Sequence, residues 1–187
     1  SRKGRKYIFI MKKKVILLPL IMMALASCGG NSTSNGGNNS SAANFETVSY
    51  TIAGSLPEGL TYITNNEQYP NPEFYKESGI KIRFENIGVS TTFTEFTGSL
   101  NVTIDIALNQ NQKTQAASEH CFTVTAFNAS STDCGVAYFD TVQAGTNTVK
   151  IDVTKATSLK VIMTGYPKAG DKYNNVNFKG LTVAKAQ

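Results

Sequence analysis

The chain contains no tryptophan, and its 187 residues include one histidine, His120, and three cysteines. A single imidazole cannot anchor a histidine-rich metal centre, which needs three or four converging ligands. No Gly-x-Ser-x-Gly elbow and no His-Glu-x-x-His run occurs, so the common hydrolase signatures are absent. Long apolar runs are also missing. The longest, Val15 to Ala26, has 12 residues and is broken by Pro19. A bilayer-spanning helix needs roughly 18 or more, so this run does not predict a membrane span.

What the run does have is context. Lys12, Lys13 and Lys14 precede it and small residues close it, the layout of a secretory signal. The closing residues Leu25-Ala26-Ser27-Cys28 resemble the lipobox of bacterial lipoproteins. That resemblance implies cleavage before Cys28, with acyl chains on its thiol and usually its amine. Two or more chains anchor a protein stably, where one holds it only marginally. The expected segments are therefore a signal peptide over 1–27, with 1–10 upstream of a start at Met11, a lipidated tether over 28–44, and a domain over 45–187. The implied location is the extracytoplasmic face of an outer or cytoplasmic membrane.

The positive charge goes with the leader. Seven of the 18 basic residues lie before Cys28 and no acidic residue does, leaving 11 basic and 13 acidic side chains after it. The apparent basicity is thus not a property of the domain. Nucleic-acid binding, which requires a basic stripe against phosphates, is excluded as an expectation. The tether, Gly29 to Asn44, is built of Gly, Ser, Asn, Thr and Ala. It has nothing to bury and reads as a disordered linker.

From Phe45 onward the pattern has period two, the mark of half-buried strands. Val102, Ile104, Ile106 and Leu108 alternate with Thr103, Asp105 and Ala107, and Val149, Ile151 and Val153 with Lys150 and Asp152. Further strand-like runs cover 47–53, 80–85, 91–97, 121–127, 136–142, 159–164 and 176–183, separated by Pro, Gly, Asn and Asp clusters. Only 113–119 suggests a short helical connector. About nine strands at this spacing predict an all-β, antiparallel sandwich. The run of elements, from "LPEGLTY" through "FYKESGIKIRFEN" to "NNVNFKGLTV", resembles jelly-roll modules of galactose-binding and carbohydrate-binding type. An immunoglobulin-like sandwich is the alternative, weakened by the lack of the core tryptophan usual in that fold.

Few residues suggest chemistry. With Cys28 assigned to lipid, Cys121 and Cys134 form an even pair, which in an exported protein favours a disulfide over two buried thiols. His120 reads as a loop or surface histidine, with Cys134 a poor candidate for a thiol–imidazole pair. Glu85, Glu95, Asp105 and Asp152 lie in alternating strands, where solvent is the default, so no hydrolase carboxylate pair is indicated. No enzyme activity and no cofactor are expected.

The densest aromatic cluster, Tyr62, Tyr69, Phe74 and Tyr75, lies in a Pro- and Asn-rich stretch read as loop. Exposed tyrosines there would stack on sugars. The plainer reading is that Phe74 and one or two tyrosines plug the end of the sandwich. A second loop holds Tyr166, Tyr173, Asp171 and Asn174, and either loop offers a few oxygens for a structural Ca²⁺. The expected function is a non-catalytic binding module displayed on the envelope, with glycan as the ligand. The alternative is a structural or protein-interaction lipoprotein with an envelope protein partner.

Overall fold

A computed structural model describes residues 44–75, 79–82, 86–108, 114–116, 120–165 and 176–187, which belong to one compact unit within 40–187. Among the described residues there are ten strands and no helix. They are β1 (Val48–Thr51), β2 (Leu60–Thr64), β3 (Ile80–Ile82), β4 (Ile87–Ala107), β5 (Thr114–Ala116), β6 (Phe122–Asn128), β7 (Asp133–Phe139), β8 (Thr141–Gln143), β9 (Gly145–Met163) and β10 (Val176–Lys185). All pairings are antiparallel. The all-β expectation holds.

Two strands are unusually long, and they build the sandwich. β4 and β9 pair along most of their length, but the register breaks between Thr92 and Phe96 and again between Phe96 and Gly98. Before the break, β4 pairs with β2, and the second half of β9 with β6. After the break, β4 lies between β10 and the first half of β9. Bulges of this kind bend a strand and strengthen its twist. Lys155 in β9 takes a left-handed φ of 53° opposite the break, and its amide donates to Thr97 Oγ1 at 2.9 Å. The hairpin thus turns a corner, carrying one continuous sheet into two layers.

The layers meet through side chains from strands that are not sheet neighbours. Phe122 of β6 lies 6.2 Å from Phe178 of β10, centroid to centroid, and Tyr50 of β1 bonds Thr91 of β4 at 2.6 Å. Gly135 of β7 faces β9 so closely that a Cβ there would come 2.5 Å from the Asp152 carbonyl. The core follows the alternation: Leu100, Val102, Ile104 and Ile106 of β4, Leu159, Val161 and Met163 of β9, and Val176, Phe178, Leu181 and Val183 of β10 are buried. A bulge between Phe178 and Gly180 shifts the phase of β10 by one residue. It keeps Leu181 and Val183 inward and turns Thr182 out.

Three local expectations change. Residues 91–97 and 102–107 are parts of the single strand β4, and 149–153 and 159–163 parts of β9. The proposed helical connector contributes β5, which pairs with β8. Tyr62 lies in β2 rather than in a loop.

Candidate functional site: an aromatic platform on the outer face

The tyrosine cluster divides. Tyr62 and Tyr69 are half-buried and, with Phe74, rest against the core. The Tyr62 hydroxyl donates to the Tyr69 carbonyl at 3.2 Å. Burial pushes the Tyr62 phenol above its usual value, and a hydrogen bond with Thr64 opposes the shift. These two rings are therefore partly taken up by packing against the core rather than standing free in a loop. Tyr75 differs, being 49% exposed, with the Lys81 ammonium 5.8 Å from its ring centre. Tyr166 and Tyr173 lie outside the described residues, as do Asp171, Asn174, Glu85 and Cys28.

The expected disulfide is not present. In the β6–β7 hairpin, Phe122 faces Phe139 and Ala126 faces Gly135, so Cys121 falls opposite Asp140, and its Sγ donates to the Asp140 carbonyl at 3.3 Å. Cys134 is six residues further along β7, roughly 20 Å at the rise of a strand. A disulfide requires Cα atoms within about 7 Å. The same register carries Cys134 away from His120 and rules out a thiol–imidazole pair between them.

The exposed aromatic surface lies elsewhere. In β7, Ala137 and Phe139 point to the core, so Val136 and Tyr138 point out, each 46% exposed. Tyr138 stacks on His120, with centroids 3.9 Å apart and planes at 21°. His120 Nδ1 bonds the Asp140 carboxylate. The backbone fixes the histidine from both sides: Cys121 N donates to Phe139 O at 2.8 Å, and Thr164 N to Cys121 O at 3.1 Å. Thr164 Oγ1 also donates to the His120 carbonyl at 3.3 Å and pairs with Thr123 Oγ1 at 2.8 Å.

Across the sheet, Tyr138 is in register with Thr123 and then Ile162, and Val136 with Thr125 and then Lys160. Lys160 also sits 4.5 Å from the Phe127 ring. The outer face therefore alternates apolar surface with hydroxyls around one tyrosine held in place by its neighbours. Such a ring is pre-ordered, and the cost of immobilising it on binding is reduced. The histidine–aspartate pair is exposed and adds little to stability. Its role here is to orient the ring.

Sequence reasoning set His120 aside and did not single out Tyr138. The signal was in "VAYFDTV": with Ala137 and Phe139 inward, alternation obliges Tyr138 to face out. The stack on His120 depends on hairpin register and carries no sequence signal of its own. Among the described residues no group of three or more His, Cys, Asp or Glu is placed to hold a metal ion. Among the described residues there is no helix long and apolar enough to cross a membrane, which says nothing of a β-barrel.

No protein-family model matches the chain, and no curated protein matches it. Among solved structures, it is similar to the K1 cleaved adhesin domain of Lys-gingipain from Porphyromonas gingivalis W83, with TM-score 0.43 and 12% identity over 76% of this chain and 99% of that one. It is also similar to a CBM36-1 domain of a multidomain xylanase from the hindgut metagenome of Trinervitermes trinervoides, with TM-score 0.35 and 14% identity over 68% of this chain and 98% of that one. A third is the CBM22-1-GH10 pair of Clostridium thermocellum endo-1,4-beta-D-xylanase 10B, with TM-score 0.40 and 11% identity over 77% of this chain and 28% of that one. All three likenesses are loose and concern fold.

Proposed function

We propose that this protein is a cell-envelope lipoprotein whose β-sandwich is a non-catalytic glycan-binding module, with Tyr138 as its stacking residue. One observation carries the reading: a half-exposed tyrosine is held flat against His120 and ringed by hydroxyls. A pyranose presents an apolar C–H face and a polar rim. The open side of the Tyr138 ring suits the first, and Thr123, Thr125, Thr164 and Asp140 supply donors and acceptors for the second. Acylation at Cys28 would hold the module at the membrane, and the tether over 29–44 would give a reach of roughly 20–25 Å.

Affinity electrophoresis of the 40–187 unit through gels containing xylan, β-glucan, galactomannan or pectate tests this reading. Retardation in at least one gel, weakened in a folded Tyr138→Ala variant, supports it. Retardation in none would reject it in favour of an envelope protein partner on the same face.

A further inference from the structure

The other outer face, formed by β1, β10, β4 and β9, carries a groove of about 200 Å³. Its chemistry is unlike the first face. Ser49, Thr182, Thr103 and Thr148 stand in register on four consecutive strands. At a strand spacing of about 4.8 Å they form a row of hydroxyls roughly 14 Å long. Ser49 pairs with Thr182 at 2.8 Å, and Thr103 with Thr148 at 2.7 Å. Threonine is stiff at χ1, so the three threonine hydroxyls are pre-oriented.

The row beside it reads Thr51, Gly180, Asp105 and Thr146. Gly180 lowers the floor, where a Cβ would come 2.7 Å from the Tyr50 carbonyl. Lys179, turned out by the bulge, holds its ammonium 3.5 Å from Asp105 Oδ2. A strong acceptor and a strong donor therefore sit together in a hydroxyl-lined groove running across the strands.

We infer that this groove is a second glycan-binding site, which takes an extended polysaccharide chain across the strands through its hydroxyls. The inference rests on the glycan-binding reading above. A carboxylate accepts from two neighbouring hydroxyls, an ammonium donates to a third, and threonine hydroxyls do either. Tyr50 also lines the groove, but its hydroxyl is tied to Thr91 at 2.6 Å, so recognition here depends on the arrangement of sugar hydroxyls. The two sites lie on opposite outer faces of a sandwich whose layers are about 10 Å apart, so two separate chains occupy them. The domain then acts as a cross-linker of polysaccharide.

The test uses the 40–187 unit with Asp105→Asn/Thr103→Val, with Tyr138→Ala, and with all three changes. Asp105 and Lys179 are substantially exposed and such pairs add little stability, so the groove variant should melt with wild type. In the gel that retards wild type, the groove variant and Tyr138→Ala should each be retarded less than wild type. The triple variant should run freely, and only wild type should make the soluble polysaccharide turbid. Wild-type retardation and turbidity in the folded groove variant would overturn the second site and leave the Tyr138 platform standing. Full retardation of Tyr138→Ala, lost in the groove variant, would overturn the platform instead. No retardation of wild type in any gel would overturn both.

Discussion

Cys134 and Tyr62 show how burial sets the chemistry of single side chains. Burial raises the Cys134 thiol above its ordinary value, a backbone hydrogen bond from Thr154 opposes this, and the Asp133 charge adds to it. Cys134 should therefore alkylate more slowly than an open thiol. Peptide mapping without reductant should find no Cys121–Cys134 cross-linked peptide, whereas recovery of that peptide would contradict the hairpin register. For Tyr62 the sign follows from the direction of its shift. The folded state favours the protonated phenol, so its stabilising effect is full below the ordinary value of 10.0 and is lost as pH rises through the higher folded value. The thermal midpoint of wild type should fall more steeply between about pH 9 and 11 than that of Tyr62→Phe. Equal slopes would mean the phenol is not desolvated.

The elements that decide the architecture are the two long strands and their corner. Lys155 occupies left-handed backbone, where a side chain costs roughly 1–2 kcal/mol. Glycine relieves that strain but loses more entropy on folding, so Lys155→Gly should be near neutral in urea unfolding. Lys155→Val, β-branched and intolerant of positive φ, should destabilise by about 1–3 kcal/mol. If both were neutral, the corner would not depend on this conformation.

The corner also marks the limit of what patterning reveals. Alternation in 102–108, 121–127 and 176–183 makes those strands legible, because each has one face buried. It does not show that 91–97 and 102–108 are one strand, since the inward phase passes from Thr91 to Phe96 and Leu100 across the break. The segment 113–119, rich in Lys, Gln, Ala and Glu, favours helix locally, and pairing with β8 overrides that preference. The Asn and Pro residues after Tyr62 suggest a loop, although Leu60, Tyr62 and Thr64 share one strand face. The platform was half legible: the outward position of Tyr138 follows from alternation, its contact with His120 only from register.

At the scale of the molecule, the proposed function would join a lipid anchor at Cys28 and a tether to the two-faced module. Cys28→Ser should abolish acylation and shift the protein from the membrane to the soluble fraction after cell lysis. Retention in the membrane fraction without acyl label would contradict the lipid anchor. In the proposed function the faces would differ in mechanism, one stacking an aromatic ring against sugar and the other offering aligned hydroxyls and a charge pair. The most direct measurement of the central claim is polysaccharide affinity for Tyr138→Phe beside Tyr138→Ala, in the gel that retards wild type. Stacking needs the ring and not its hydroxyl, so the phenylalanine variant should stay near wild type at the platform while alanine weakens that site tenfold or more. Wild-type retardation of both variants would contradict the claim that Tyr138 carries the binding.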